Sequence, residues 1–250
     1  MRLKNEVAII TGAATGIGKE IAVQYAKEGA HLVVNTFRLT EQQQEQLRQE
    51  LTEYGGDVVA IDGDVTSSEL VGQLVEVAMN KFGKIDILVN NAGILTQELI
   101  QNMSEQMWDQ MINVDLKSVF LMTRATVPHM IEQKSGRIIN IASQIGQKGG
   151  YELSHYAAAK AGVIAFTKSI AIELGKYGIT ANCIAPGPVE TEIIANIDEE
   201  WKSNKRKELA LPRFGQVYEV APTAVFLAAK PDGNIFTGQT LGPNSGDVML

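Results

Sequence analysis

One cysteine, Cys183, and three histidines, His31, His129 and His155, are all that 250 residues offer in the way of soft metal ligands. A single cysteine excludes an intramolecular disulfide and a cysteine-based zinc cluster. The histidines form no HxxxH pair, so no catalytic metal is expected. Cys183 lies in the apolar run 181–185, where an inert buried thiol is expected. Positive charge is also short: 22 Lys and Arg against 29 Asp and Glu give a formal net charge of -7. That balance opposes generic binding to nucleic acid or anionic membranes, so any phosphate has to be held by local groups. No apolar run approaches a membrane span, and Met1 leads into a short apolar strand with no signal-type apolar region. A cytoplasmic, soluble protein without a membrane or nucleic-acid partner is expected. No Pro/Ser-rich linker, repeat or low-complexity tract interrupts the chain, and the Gln-rich stretch 42–49 reads as a solvated helix face.

What the chain does have is alternation. Hydrophobic residues make up 45% and charged residues 20%, enough apolar material for a sizeable core. Short apolar runs at 7–10, 31–34, 58–61, 85–89, 137–141, 180–185 and 239–241 read as strands. Between them the spacing predicts helices over 17–28, 40–54, 98–111, 114–133 (with Pro128 as a kink), 154–174, 192–208 and 217–229. A further helix ends near Gly83, opened by a capping box of Thr66 and Glu69. Continuous apolar strands alternating with helices predict an α/β fold: one doubly wound Rossmann-like domain over 1–250, with a seven-stranded, mainly parallel sheet between helices on both faces.

Three segments carry chemistry. Thr11-Gly12-Ala13-Ala14-Thr15-Gly16-Ile17-Gly18 follows the first strand and opens a helix, and its GxxxGxG glycines permit a tight turn beside free helix N–H groups that suit a pyrophosphate. Asp64-Val65, after the third strand, offers a carboxylate for an adenine amino group and an apolar cover for the ring; a helix-capping aspartate is the other reading. Asn90-Asn91-Ala92-Gly93 ends the fourth strand at the carboxyl edge, where such sheets bind ligands, with asparagines able to brace neighbouring strands. Further on, Tyr156 and Lys160 stand four apart on one helix face, with Ser143 thirteen residues earlier. A fixed ammonium beside the phenol favours the phenolate and is expected to bring the tyrosine pKa down from about 10 toward the working range. A serine hydroxyl in reach holds a carbonyl or alcohol oxygen while the tyrosine passes the proton.

These segments, with Asn113 and Pro186-Gly187 and in this order along essentially the whole chain, resemble the short-chain dehydrogenases/reductases of the 250-residue type. The resemblance implies an NAD(P)-dependent carbonyl/alcohol oxidoreductase. It implies Tyr156 as proton donor or acceptor, Ser143 as orienter of the substrate oxygen, Lys160 as the group that tunes Tyr156 and holds the nicotinamide ribose, and Asn113 as the asparagine that kinks a helix and positions a relay water. Pro186, Gly187, Val189 and Thr191 resemble the segment beside the nicotinamide, and a homotetramer built through the helices at 114–133 and 154–174 is implied. At the end of the second strand, Thr36-Phe37-Arg38 supplies no carboxylate against a 2′-phosphate and one arginine for it, so NADP(H) is expected over NAD(H). The segment 188–213 is expected to close over the site, with Ile193, Ile194 and Trp201 lining an apolar pocket. Lys202, Lys205, Arg206 and Lys207 read either as a solvated helix face or as a contact for an acidic carrier. The pattern is similar to 3-oxoacyl carrier-protein reductases and to sugar, polyol and small-ketone oxidoreductases, although the stretches 143–150 and 242–247 depart from the carrier-protein reductases. A nucleotide-binding regulator that has lost the chemistry is the alternative class. Retention of Ser143, Tyr156 and Lys160 together argues against it.

Overall fold

The computed structural model describes residues 1–191 and 198–249. Seven strands pair in the order β3-β2-β1-β4-β5-β6-β7, every pair parallel. They are β1 (Val7–Ile10), β2 (His31–Thr36), β3 (Val58–Asp62), β4 (Ile87–Asn90), β5 (Gly136–Ile141), β6 (Ile179–Ile184) and β7 (Thr240–Leu241). The strand order reverses between β1 and β4, which opens a crevice at their carboxyl ends.

Side-chain alternation along β1 shows why the strands read as unbroken apolar runs. Ala8 and Ile10 pack on one face with α1 (Gly16–Lys27), α2 (Glu41–Thr52) and the late helix 217–228. Ile9 packs on the other with α3 (Ser68–Phe82) and the helices over 118–133 and 154–174. Both faces are covered, so neither can be polar.

Three local expectations are corrected. α3 is capped by Ser67, whose Oγ accepts from Leu70 N at 3.4 Å, because Thr66 is occupied in a turn on Asp64 Oδ1. The helix expected from 98 begins only at Glu105, giving α4 (Glu105–Ile112). Ser104 caps it through Met107 N at 3.2 Å, while Glu98 N is drawn instead to Glu152 O at 2.9 Å. The two helices expected at 98–111 and 114–133 are also joined. A π turn over Asn113–Lys117 carries the backbone from α4 into α5 (Ser118–Gln133), which continues through Pro128. Among the described residues the remaining α-helices are α6 (Ile145–Lys148), which the periodicity did not predict, α7 (Ser154–Leu174), which a 3₁₀ turn over Gly175–Tyr177 follows, α8 (Glu199–Glu208) and α9 (Val217–Ala228). The first part of the helix expected over 192–208 lies outside the described residues. No helix among the described residues is long and apolar enough to cross a membrane.

Candidate active site

The glycine turn follows β1. Gly12 sits at φ +64° with Ala92 against it; a Cβ there would stand 2.7 Å from Ala92 Cα. A Cβ on Gly18 would lie 2.2 Å from Asn91 Nδ2, so the start of α1 must be glycine to pack on the end of β4. The Asn91 side chain donates to the carbonyls of Thr11 (3.1 Å) and Gly12 (2.9 Å), and Thr11 Oγ1 accepts from the Asn91 and Ala92 amides. Asn90, buried, donates to Asn140 Oδ1 at 2.8 Å, and Asn140 passes the link to Thr167 Oγ1 at 2.8 Å. Both asparagines therefore brace the crevice, as their position suggested.

The residues around this turn fit a dinucleotide. The N-cap of α1, Thr15, makes no side-chain capping bond and the first turn holds no acidic residue, so neither the cap nor the helix's own first turn supplies an anion to the amide donors of Gly16, Ile17 and Gly18 and the positive end of the helix. Thr191 Cγ2 would lie 3.7 Å from a Cβ on Gly16, bringing the start of the 191–213 segment to the mouth of the turn.

At the end of β2 the structure adds a carboxylate that motif reading passed over. Asp62 Oδ1 accepts from Thr36 Oγ1 (2.8 Å) and Leu39 N (3.0 Å), and Oδ2 from Arg38 N (3.0 Å). Arg38 adopts φ +62° and lays its exposed guanidinium 4.9 Å from the centre of the Phe37 ring. The absence of a carboxylate in β2 itself holds, but one from β3 organises the loop, its oxygens taken up by protein donors. Asp64 is exposed and its Oδ1 holds the Thr66 amide and hydroxyl in a turn ahead of α3, so it is not the helix cap that stood as the other reading, while Val65 is buried in the core.

Ser143 follows β5, and Tyr156 and Lys160 project from the first turns of α7. Lys160 is buried, donates from Nζ to Ile141 O at 3.1 Å, and lies 5.7 Å from the Tyr156 ring centre. Ser143 is buried, and its Oγ accepts from Ile145 N at 3.1 Å. One expectation is reversed here: the Tyr156 phenol is held above its ordinary pKa. Burial is the largest cause; the Lys160 charge and the Ser143 hydroxyl pull the other way, and Asp115 reinforces the burial. The Asp115 contribution comes from an ion pair absent from the motif reading. Asp115, fully buried in the π turn, brings Oδ2 to 3.1 Å from Lys160 Nζ and accepts the Ile94 amide on Oδ1 at 2.8 Å. The signal was a lone carboxylate between apolar Val114 and Leu116. Asn113 opens the same π turn, its carbonyl accepting from Ser118 N, so the helix distortion implied for it is a widened turn.

His155, next to Tyr156, is also buried; Nε2 pairs with Thr96 Oγ1 at 2.8 Å, and burial holds its pKa below the ordinary value, Asp115 opposing. Cys183 is buried, and burial pushes its thiol up to about 11, which leaves it unreactive.

Pro186 O accepts from Gln144 N at 3.2 Å, and a Cβ on Gly187 would stand 2.6 Å from Asn244 Cα, so the C-terminal stretch packs tightly under this segment. The bonds Gly215 N to Pro188 O and Glu190 N to Gly215 O, both 2.9 Å, bring the two ends of the 191–213 segment together at Val189. Ile193 and Ile194 lie outside the described residues, and Trp201 packs obliquely on Phe214, ring centres 6.3 Å apart. The basic residues of α8 are largely matched within the protein: Lys202 with Glu199, Lys205 with Glu208 and Asp247, Arg206 with Glu190. Asp247 also takes Lys148 at 2.7 Å and Gln144, and so ties the loop after Ser143 to α8 and the C-terminal stretch. Burial raises the Asp247 pKa, but the bonds from Lys148 and Lys205 outweigh it and hold the carboxyl below its usual value. A depressed folded-state pKa stabilises the protein above the unfolded value of about 3.9, and that stabilisation disappears as pH falls through the folded value. Asp247→Asn is expected to cost about 1–3 kcal/mol at neutral pH in urea unfolding. The deficit should vanish toward the acid limit; a deficit independent of pH contradicts the assignment.

The family model for short chain dehydrogenases matches residues 6–202. The chain is 40% identical to a Synechocystis 3-oxoacyl-[acyl-carrier-protein] reductase, covering 99% of both chains, and 39% identical to proteins of the same description from Thermotoga maritima (100% of both) and Staphylococcus aureus (97% of this chain, 98% of that one). A solved Serratia marcescens short-chain dehydrogenase/reductase double mutant superposes with a TM-score of 0.92 at 31% identity over 99% of both chains. The chain belongs to the short-chain dehydrogenase/reductase family. It is an oxidoreductase that uses a nicotinamide cofactor to interconvert a ketone and a secondary alcohol.

Proposed function

We propose that this chain reduces 3-oxoacyl thioesters, with Tyr156 as the proton donor. The observation that carries the chemistry is the convergence of Ser143, Tyr156 and Lys160, and the full-length relatives named as 3-oxoacyl-[acyl-carrier-protein] reductases point to the substrate class. A bound nicotinamide supplies the hydride to the carbonyl carbon. The Ser143 hydroxyl donates to the carbonyl oxygen and orients it. Tyr156 gives its proton to that oxygen as negative charge develops there, and Lys160 stabilises the phenolate left behind until Asn113 and a relay water return a proton. Gly12, Thr15, Gly16, Ile17 and Gly18 would hold the diphosphate, Asp64 and Val65 the adenine, Asn90 to Gly93 the inner ribose through backbone, and Pro186, Gly187, Val189 and Thr191 the nicotinamide end.

The cofactor is read as NADP(H). Arg38 stands free to meet a 2′-phosphate because Asp62 bonds its backbone and leaves the guanidinium exposed. Arg38→Ala is expected to raise the KM for NADPH about tenfold, the size of one charge-assisted contact at an exposed position, with NADH unchanged. Equal loss with both cofactors overturns the reading. We read 1–250 as one nucleotide-binding domain with 188–213 as its lid. The assembly is read as a homotetramer packing through α5 and α7, which expose Phe120 and Ile172. The internally matched charges of α8 do not support that helix as the contact for an acidic carrier. The deciding experiment is a carbonyl panel of 3-oxoacyl thioesters, small diketones and sugars, run with NADPH and NADH in parallel; preference for a sugar or polyol replaces the acyl reading.

A further inference from the structure

Asp247 lies shortly after β7, outside every segment that carries the chemistry. Its side chain is only 5% exposed, and side-chain donors from two other parts of the chain converge on it. Oδ1 accepts from Lys148 Nζ at 2.7 Å and from Lys205 Nζ at 2.8 Å, and Oδ2 accepts from the Gln144 amide. A carboxylate offers about four lone-pair sites and takes all of these, whereas a neutral amide cannot balance two ammonium groups. Burial disfavours the Lys205 charge, but its bonds to Asp247 and Glu208 outweigh that and hold the ammonium above its ordinary pKa. The backbone delivers the carboxylate to this spot. Buried Asn244 accepts the Gly246 amide on Oδ1 at 2.9 Å and donates from Nδ2 to Val248 O at 2.8 Å, bracing a turn in which Ser245 (φ +56°) and Gly246 (φ +77°) are left-handed. A Cβ on Gly246 would stand 2.5 Å from Ala210 Cβ, and Leu211 N donates to Ser245 O at 2.9 Å, so the turn is seated on the residues that follow α8.

The consequence falls on Ser143. Gln144 stands next to it, with its backbone N fixed on Pro186 O at 3.2 Å and its buried side chain fixed on Asp247, so the residue beside the serine is pinned at both ends. Lys148 holds the far end of the same loop to the same carboxylate. On the other side, Lys205 ties α8 to Asp247, and the adjacent Arg206 reaches Glu190 at 3.6 Å, one residue beyond Val189. We propose that Asp247 is a positioning residue: through Gln144 and Lys148 it holds the Ser143 loop, through Lys205 it holds α8, and it keeps the two at one fixed separation so that Ser143 Oγ meets the substrate oxygen in a single geometry. This rests on Ser143 being the group that holds that oxygen. Asp247 itself exchanges no proton with the substrate. Its effect is on orientation, where an error of about 1 Å at a reacting group costs up to about a hundredfold in rate with the chemistry unchanged.

The test combines amide hydrogen exchange, read peptide by peptide by mass spectrometry, with steady-state reduction of a 3-oxoacyl thioester. In Asp247→Asn, exchange is expected to quicken about tenfold in two stretches far apart in sequence, 143–149 and 199–209, while β2 and α2 exchange as in the wild type. The kcat for reduction should fall about tenfold with the KM for NADPH unchanged. Lys205→Met is expected to loosen 199–209 alone and Lys148→Met 143–149 alone; only the Asp247 substitution loosens both. Asp247→Glu, which keeps the charge, should restore part of the order and of the rate. Wild-type exchange in either stretch of Asp247→Asn overturns the proposal. A rise that includes β2 and α2 equally overturns it too, because Asp247 would then act on stability alone. If Asp247→Asn does not fold, the two lysine variants carry the test, and wild-type exchange at 199–209 in Lys205→Met overturns the proposal. If Ser143→Ala is inactive while Asp247→Asn keeps its full kcat, the role of Asp247 fails and that of Ser143 stands. If Ser143→Ala keeps its turnover, the reading of the serine fails, and this proposal with it.

Discussion

Tyr156→Phe is expected to lower kcat for carbonyl reduction about a thousandfold, within the range that positioned proton transfer contributes, and to leave cofactor binding nearly unchanged. The substitution removes one hydroxyl and nothing else. The ring keeps its volume on α7, Lys160 keeps its bonds to Ile141 and Asp115, and the glycine turn lies on other elements. Steady-state rates with a 3-oxoacyl thioester give the first quantity and fluorescence titration of the reduced cofactor the second. Unchanged turnover would remove Tyr156 from the chemistry; a parallel loss of cofactor affinity would make the residue a binding group.

The second large effect concerns stability as well as rate. Lys160→Met leaves the Asp115 carboxylate buried with no cation, and uncompensated buried charges cost about 3–5 kcal/mol. The wild-type lysine is held ammonium above its ordinary pKa. Burial works against the charge, but Asp115 and then Tyr156 outweigh it. A raised folded-state pKa contributes stability that is fully present below the unfolded value of about 10.4 and fades as pH rises through the folded value. The deficit of Lys160→Met in urea unfolding should therefore be complete at neutral pH. Adding Asp115→Asn should recover much of it, since removing both charges is far less costly than removing one. A double variant no more stable than Lys160→Met would show that the two groups are not energetically coupled. Activity should stay lost in both, because neither retains the cation that stabilises the phenolate.

Much of this molecule is legible along the chain because its signals are local. β1, for example, needs only Val7-Ala8-Ile9-Ile10, all buried, and α7 runs over 154–174 as its periodicity predicts. Ser143, Tyr156 and Lys160 are recognisable because two share a helix face and the third follows a strand. The failures have physical causes of a different kind. The helix expected from 98 is shortened by a backbone bond to Glu152, more than fifty residues away. The cap of α3 moves by one residue because Asp64 captures Thr66 first. The carboxylate that shapes the β2 loop comes from β3, a neighbour in the sheet but twenty-six residues removed from Thr36.

By itself the sequence determined the layered α/β architecture, the glycine turn after β1, and the motif that carries Ser143, Tyr156 and Lys160, because strand and helix periodicity and short motifs carry that information within a few residues. Only the tertiary structure decided the electrostatic surroundings of the Tyr156 phenol. A lysine one helical turn away predicts a lowered phenol pKa if it acts alone. Packing placed a buried aspartate from the π turn 3.1 Å from that lysine, and partial burial of the phenol, reinforced by that aspartate, outweighs the cation.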